Sequence, residues 1–483
     1  MTEKLKISIV YLVTAMFVLL NSYLVYKEIY VGILIPIVCI ILIMYIFSLD
    51  KVLLLAVFVT PFAIDIGNYD MGVNILIPTE PLLIGILFIL VLKILLEGGI
   101  DRRIIRHPIT IAILFSLIWM LITSITSDIP VVSFKYLLSR LWFIIPMYFG
   151  GLMLFRARKS NIRVFVWAYV ISLIGVVFYT TWVHMGYSFS EKAGHWVMYP
   201  FYNDHTAYGA ILALFAPMMV GLSLDKSVSR KQRIYAIVAA SILLVALYLS
   251  YCRAAWLSVG FSILVLILVK LEIKFRWVAL TTIVLGAIFF TFQFEIIDKL
   301  EKNKQDASAN LIEHIQSISN ISSDASNLER INRWQAALRM FSERPFLGWG
   351  PGTYQFEYAP FQRSKEKTVI STNLGDRGNA HSEYIGPLSE SGIPGLLSVI
   401  FILITVVYTG LKVYKKAHSR QTRLLALSST LALITYFVHG TMNNFLDTAK
   451  ASVPFWGFVA IIVALDIFYS SPEDKANSDA GKN

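Results

Sequence analysis

The chain has 483 residues, of which 57% are hydrophobic and only 15% are charged. Soluble domains carry about 25% charged and about 45–50% apolar residues, so this composition excludes an ordinary soluble fold and indicates a membrane protein. The net charge of +11 does not indicate a nucleic-acid partner, because the lysines and arginines sit in short loops between apolar runs, where membrane topology explains them.

Apolar runs that could cross a bilayer, which takes about 20 residues, recur along the chain. We predict fourteen spans, centred near residues 16, 38, 58, 87, 117, 145, 173, 214, 242, 261, 284, 401, 432 and 460. The run from Ile234 to Val269 is too long for one span, and we divide it at residues 251–253, where polar side chains can turn at the membrane surface. The predicted fold is therefore an all-α polytopic membrane protein.

The basic loops predict the orientation of these spans. If the N-terminus is cytoplasmic, the lysines and arginines of the short loops all fall on the cytoplasmic side, as the positive-inside bias requires. These loops lie at 102–106, 156–163, 226–233, 270–276 and 412–423. Both termini are then expected in the cytoplasm.

The same reading predicts the domain organisation. Eleven spans over 1–293 precede a large extracytoplasmic loop domain over 294–391, and three spans over 392–469 precede a disordered cytoplasmic tail over 470–483. A second, smaller outer loop runs from about 184 to 204.

The large loop contains one clear helical pattern. A helix is predicted from Asn327 to Glu343 and is ended by Pro345. Its apolar positions recur at helical spacing, namely Leu328, Ile331, Trp334, Leu338 and Phe341. The loop returns to the membrane through residues 380–385, and residues 392–395 open the next span.

Three arginines on the predicted outer side could bind an anion. Arg253 at the end of a span could snorkel to lipid phosphates, or it could be a fixed cation for an anionic lipid-linked substrate. On an amphipathic helix most arginines simply solvate one face, and this is the alternative for both Arg330 and Arg333. Arg330 is the better candidate because it borders the apolar face, whereas Arg333 is expected to be solvated. Guanidinium groups bind phosphate oxygens bidentately, so two of them could neutralise a diphosphate leaving group without a metal.

His381, just before a span, is either a structural histidine or a general base, since imidazole titrates nearest neutral pH. Glu383 and Glu390 are rival bases. His195 and His205, in the smaller outer loop, could approach the same cavity.

Lys135 and Arg140 lie near the outer end of the sixth predicted span. A charge within a span is a candidate functional residue, and the alternative is an ion pair between helices, for instance with Asp65 or Asp128. Both possibilities stay open.

Motifs for metals and nucleotides are missing from the sequence. It has no Asp-x-Asp motif, no Gly-rich phosphate loop and no HExxH, and its two cysteines, Cys39 and Cys252, form no metal or disulfide pattern. No cofactor and no metal are expected.

Four segments together resemble the O-antigen ligase and Wzy polymerase superfamily. They are 203–209 (NDHTAYG), 250–257 (SYCRAAWL), 329–352 (ERINRWQAAL followed by RPFLGWGPG) and 380–395 (AHSEY followed by ESGIPG). Their order and spacing are similar to those of the family over roughly residues 200–460. The resemblance implies about 12–14 transmembrane helices and a mainly helical periplasmic loop domain, in a GT-C-like fold in the bacterial inner membrane.

The resemblance also implies a mechanism. Such enzymes move a glycan from undecaprenyl diphosphate to an acceptor hydroxyl at the periplasmic face, with inversion and without metal. His381 would then be the base, and Arg253 and Arg330 would hold the diphosphate. Possible accessory residues are Arg333, Glu383, Asn203, His205 and Arg140.

The acceptor is open at this stage. A ligase transfers to lipid A-core, a polymerase to another lipid-linked repeat, and a protein O-oligosaccharyltransferase to serine or threonine. We favour the ligase because of the single large outer loop. A polysaccharide flippase or transporter is the alternative from another class, and it would predict duplicated halves and charges near mid-membrane.

Overall fold

The structure is a computed structural model that describes residues 3–65, 75–98, 100–273, 325–367, 371 and 378–470. Its helices are α1 Glu3–Tyr26, α2 Ile35–Phe47, α3 Leu49–Val59, α4 Thr79–Glu97, α5 Arg102–Ile105, α6 Pro108–Ile125, α7 Pro130–Ile144, α8 Gly151–Ala157, α9 Ser160–Met185, α10 Glu191–Gly194, α11 His205–Leu224, α12 Arg230–Leu249, α13 Arg253–Lys270, α14 Ala325–Glu343, α15 Tyr354–Glu357, α16 Ile385–Lys416, α17 Arg420–His439 and α18 Ala449–Phe468. Two short strands, Ile64–Asp65 and Leu76–Ile77, pair antiparallel.

The predicted class, an all-α polytopic membrane protein, is confirmed. Within the described ranges, nine helices are long and apolar enough to cross a membrane, and a short π-helix at 145–150 joins α7 and α8 into one continuous element. The predicted span near residue 284 and almost all of the predicted tail lie outside the described residues.

The region of the second and third predicted spans differs from the prediction. α2 has 13 residues and α3 has 11, and a single non-helical residue, Ser48, separates them. At a rise of about 1.5 Å per residue, neither helix alone covers the roughly 30 Å of a hydrocarbon core. Hydropathy counts apolar residues and does not register this break, so the second and third predicted spans are not two full-length helices in the structure.

The predicted division of the long apolar run is confirmed. α12 ends at Leu249 and α13 begins at Arg253, and Tyr251 between them adopts a left-handed conformation with φ of 50°. The Tyr251 hydroxyl donates to the Phe189 carbonyl at 2.8 Å, which ties this turn to the loop after α9.

The centre of the bundle is formed by α11, α17 and α18. α18 is buried along almost its whole length, whereas α17 buries serine and threonine side chains such as Ser428, Ser429 and Thr430. Thr430 satisfies its hydroxyl by donating to the Ala426 carbonyl within its own helix at 2.7 Å. A helix enclosed by other helices can carry such residues, because small polar side chains allow close packing.

Contacts near the ends of the helices define two faces of the bundle. At one face the basic loops meet, because Asp225 accepts from Gln421 at 3.3 Å and lies 3.8 Å from Arg163, and Lys412 pairs with Asp466 at 2.9 Å. The opposite face, called here the site face, carries the residues between α6 and α7, between α9 and α11, between α12 and α13, and between α17 and α18.

The segment after α14 is fastened to the site face by backbone hydrogen bonds. Gly350 N–H donates to the Glu390 carbonyl at 2.8 Å, and Ile393 N–H donates to the Pro345 carbonyl at 2.9 Å. α16 is broken at Gly392, whose φ of 67° lets the backbone approach the carbonyl of Phe346. α14 and the loops around it are therefore built onto the membrane helices.

Gly350 is a position where this fastening excludes a side chain. Its φ is 114°, and a Cβ there would lie 2.0 Å from Ser127 Oγ and 2.7 Å from Ser133 Oγ. We predict that Gly350→Ala lowers the thermal unfolding midpoint in detergent, because the left-handed region costs an L-residue about 1–2 kcal/mol before the clash is added.

The matched control is Gly260→Ala, because a Cβ at Gly260 in α13 would meet nothing within 4 Å. This control is expected to keep or raise the midpoint, since alanine favours a helix by about 0.5–1 kcal/mol over glycine. Equal midpoints for both variants would contradict the docking described here.

Candidate functional site

His381 lies in the loop that precedes α16 and has a strained backbone. Its φ is 46°, in the left-handed region, and its N–H donates to Asn379 Oδ1 at 3.1 Å. A non-glycine residue held in this region costs of order 1–3 kcal/mol, and such residues concentrate at functional sites. Burial, together with the charges of Arg333 and Arg330, lowers the pKa of the His381 imidazole to about 4. The ring is therefore neutral at pH 7.

Arg333, on α14, is the arginine in direct contact with His381. Its Nη1 lies 3.3 Å from His381 Nε2 and donates to the Asn379 carbonyl at 3.2 Å, and its Nε donates to Glu329 Oε1 at 3.0 Å. The side chain of Arg333 is only 11% exposed and that of Glu329 only 5%. The expectation that Arg333 is a solvated residue is wrong, because the returning loop at 378–381 covers it.

Arg330 lies one helical turn before Arg333 and acts on the same region. Its charge contributes to lowering the pKa of His381. It also acts on the thiol of Cys252, whose pKa is raised to about 12 by burial and is partly lowered again by Arg330. Cys252 adjoins Arg253, so the charge of Arg330 on α14 acts on the turn that carries Arg253.

A polar cavity of about 260 Å³ opens beside His381. It lies between the loop that precedes α11, the loop that precedes α16 and the loop between α17 and α18. Its polar lining includes Asp65, Asn203, Asp204, Asn379, His381, Asn443, Asn444, Asp447 and Lys450. The structure thus brings the predicted residues Asn203 and His381 to one cavity.

Asp447 and the two asparagines before it were missed from the sequence. Burial raises the pKa of the Asp447 carboxyl to about 6, with Glu383 adding to the increase and Arg140 opposing it. Asp447 is the last charged residue before α18 on the predicted outer side. That position in the segment Asn443–Asp447 was the available signal, but nothing in the sequence showed that the segment folds toward His381.

Arg253 and His205 occupy an adjoining part of the site face. Arg253 Nη2 lies 3.5 Å from Glu191 Oε1, and its side chain is 32% exposed. The rings of His195 and His205 stack, with centroids 4.2 Å apart. The imidazole rings therefore face each other, and neither histidine lines the polar cavity beside His381.

Glu383 and Glu390, predicted as rival bases, accept hydrogen bonds from backbone N–H groups instead. Glu383 Oε1 accepts from the Tyr436 hydroxyl at 2.7 Å and from the Phe445 and Leu446 N–H groups at 2.9 Å each. Glu390 Oε1 accepts from the Tyr354 N–H at 3.1 Å. Carboxylates that are occupied in this way serve as anchors for loops, and this geometry disfavours both as bases.

Arg140 also acts on the loop between α17 and α18. Its buried guanidinium donates to the Leu446 carbonyl and to the Tyr136 hydroxyl. The ion pair suggested with Asp128 does not form, because Asp128 pairs with Arg344, and the side chain of Lys135 is exposed. Arg140 thus fixes the segment that carries Asp447.

The site combines the neutral imidazole of His381, the guanidinium groups of Arg330 and Arg333 on α14, and a cavity lined by amide and carboxylate groups. Such a set can hold an anionic leaving group, accept a proton and bind hydroxyl groups. In the described ranges, no three His, Cys, Asp or Glu side chains converge in a way that could hold a metal ion.

This fold and site define a multi-pass, all-α membrane protein with an arginine- and histidine-containing site at one face. Residues 238–400 match the family model described as O-antigen ligase (Wzy_C), which confirms the resemblance to the O-antigen ligase and Wzy polymerase superfamily. The matched segment contains Arg253, Arg330 and His381.

One relative is an uncharacterized protein from Haemophilus influenzae. It is 22% identical over 252 residues, which cover 50% of this chain and 60% of that protein. The chain therefore matches less than two thirds of that relative's length.

The role of Glu383 can be tested by comparing two substitutions. Glu383→Ala removes the acceptor of the Tyr436 hydroxyl and of the Leu446 N–H, at about 1–3 kcal/mol each, and leaves the Phe445 N–H with only the Tyr436 hydroxyl, so it should lower the unfolding midpoint markedly. Glu383→Gln keeps an acceptor oxygen and should retain most of the midpoint and most of any transfer activity. A Gln variant that is as stable as wild type but as inactive as His381→Ala would instead identify Glu383 as the base.

Proposed function

We propose that this protein is an O-antigen ligase-like glycosyltransferase. It would move a glycan from undecaprenyl diphosphate to a hydroxyl of lipid A-core at the periplasmic face of the inner membrane. The observation that carries the proposal is the convergence of a neutral His381 with Arg330 and Arg333 beside a polar cavity.

The reaction would be a single inverting displacement at the anomeric carbon. The acceptor oxygen forms the new bond to that carbon, and the bond to the diphosphate breaks with its electron pair going to the phosphate oxygen. The hydroxyl proton passes to His381. No step of this scheme calls on a metal, because guanidinium groups can stabilise the charge that the leaving diphosphate gains.

Arg330 and Arg253 are proposed to hold the diphosphate. They come from two different elements, α14 and the start of α13, so a ligand between them would bridge the loop segment and the bundle. Arg253 lies at the first position of α13, where the backbone N–H groups of the first turn also favour an anion. Its contact with Glu191, which is 46% exposed, would have to yield to phosphate.

The polar cavity is proposed to receive the sugar attached to the diphosphate. Asn203, Asn443 and Asn444 offer amide groups and Asp447 offers a carboxylate, which are suited to hydroxyl recognition. The cavity volume of about 260 Å³ is sufficient for one sugar residue.

The first test is transfer in vitro from purified undecaprenyl-diphosphate glycan to lipid A-core, in the presence of a chelator. His381→Ala should lower the rate by about 10²–10⁴-fold, as expected for loss of a general base. Arg330→Ala and Arg253→Ala should lower it by about 10²–10³-fold, as for loss of one preorganised charge.

The matched control is His418→Ala, because His418 is exposed and lies in a basic loop away from the site face. It should transfer at the wild-type rate. Elongation of the lipid-linked glycan by wild type, without transfer to lipid A-core, would replace the ligase with a Wzy-type polymerase. Full activity of His381→Ala would refute the proposed base.

The pH dependence should differ between the free enzyme and the donor complex. In the free protein, His381 loses its function as a base only as the pH falls through about 4. A bound diphosphate carries a negative charge on each phosphoryl group, which offsets the arginines and attracts an imidazolium. The pKa of His381 should therefore rise in the complex.

We accordingly expect the acid limb of kcat to lie at higher pH than the acid limb of kcat/KM, since kcat reports the complex and kcat/KM the free enzyme. Rate measurements from below pH 4 up to pH 8, at saturating and limiting donor, check this. Acid limbs at the same pH would contradict a base that is coupled electrostatically to the diphosphate.

A further inference from the structure

Arg333 and His381 share a contact whose chemistry determines which nitrogen of the ring is basic. Arg333 Nη1 lies 3.3 Å from His381 Nε2. A guanidinium group has only donors, so Nε2 must present its lone pair to it, and the neutral ring then carries its proton on Nδ1. The nitrogen that could accept a proton is thus the one that Arg333 covers.

Arg333 is held in this position by a second buried contact. Its Nε donates to Glu329 Oε1 at 3.0 Å, four residues earlier on α14, while Glu329 Oε2 accepts from Ser371 Oγ and from Asn332 Nδ2. The Tyr358 ring lies 5.8 Å from the Arg333 guanidinium carbon. Glu329 therefore fixes the charge and direction of Arg333, and through it the ring of His381.

The charged groups that act on His381 come from several elements. Arg333 and Arg330 on α14 disfavour an imidazolium, whereas Glu329 on α14 and Asp204 at the start of α11 favour one. An anion that attracts Arg333 would draw its guanidinium group away from Nε2 of His381. It would also reduce the electrostatic repulsion between Arg333 and a proton on Nε2.

We propose that Arg333 is a positioning residue. Its guanidinium group covers Nε2 of His381, and Nε2 becomes accessible to the acceptor hydroxyl when Arg333 binds phosphate oxygens of the donor diphosphate. This rests on the proposed function in that His381 is the base, and it adds that donor binding activates the base. A base that is covered until the donor arrives limits reaction at His381 in the absence of substrate.

The test measures the reactivity of Nε2 directly. Diethyl pyrocarbonate acylates an imidazole nitrogen that has a free lone pair, and mass spectrometry of the peptide that contains His381 gives the rate at this residue. In full-length protein in detergent, Arg333→Gln should react on the order of tenfold faster than wild type, which corresponds to loss of one charge-assisted hydrogen bond. Inorganic pyrophosphate should accelerate the wild-type reaction and leave the Arg333→Gln rate unchanged.

Two further variants keep the result interpretable. Glu329→Gln retains an acceptor but removes the charge that fixes Arg333, and it should give an intermediate rate. Arg339→Gln is the matched control, because Arg339 lies on the same helix and pairs with Glu366, and it should react as wild type does.

Equal rates for wild type, Arg333→Gln and Glu329→Gln would overturn the proposal, as would slowing or no change of the wild-type reaction with pyrophosphate. The readout does not depend on glycan transfer. A faster reaction of Arg333→Gln in a protein whose His381→Ala variant remains fully active would support the contact and refute the transferase base, so the two failures are distinguishable.

Discussion

The Glu383 carboxylate is the interaction on which the geometry of the site depends. It accepts hydrogen bonds from the Tyr436 hydroxyl in α17 and from the backbone N–H groups of Phe445 and Leu446. The backbone N–H of Glu383 donates to the Gly440 carbonyl at 2.8 Å. His381 lies two residues before Glu383, and Asp447 lies one residue after Leu446. A single buried carboxylate therefore sets the positions of residues on two sides of the cavity.

Arg140 reinforces the same junction from α7 by donating to the Leu446 carbonyl. Its charge lies near Glu383 and Asp447, and it opposes the increase in the pKa of Asp447 that burial causes. Burying an unpaired arginine inside a helical bundle would be strongly unfavourable. Arg140 avoids this free-energy cost because it donates to a loop carbonyl and lies near two carboxylates. This explains how a buried cation can be placed so near the site without contacting His381.

The segment after α14 adds the other half of the site. It is joined to α16 by backbone hydrogen bonds at Gly350 and Ile393, and this places Arg330 and Arg333 over the end of the bundle. A site divided in this way needs both parts to be docked before the arginines and the imidazole meet. The same division provides a way for a ligand on the arginines to act on His381.

The sequence by itself determined the membrane class, the turn at residues 251–253, the helix after residue 325 and the side that collects the basic loops, because hydropathy, helical periodicity and charge bias are local properties. It could not determine that Ser48 interrupts an apolar run, that a returning loop buries Arg333, or that Asn443 to Asp447 fold toward His381. These depend on contacts between residues far apart in the chain, such as Glu383 with Phe445, and only the tertiary structure brings such partners together.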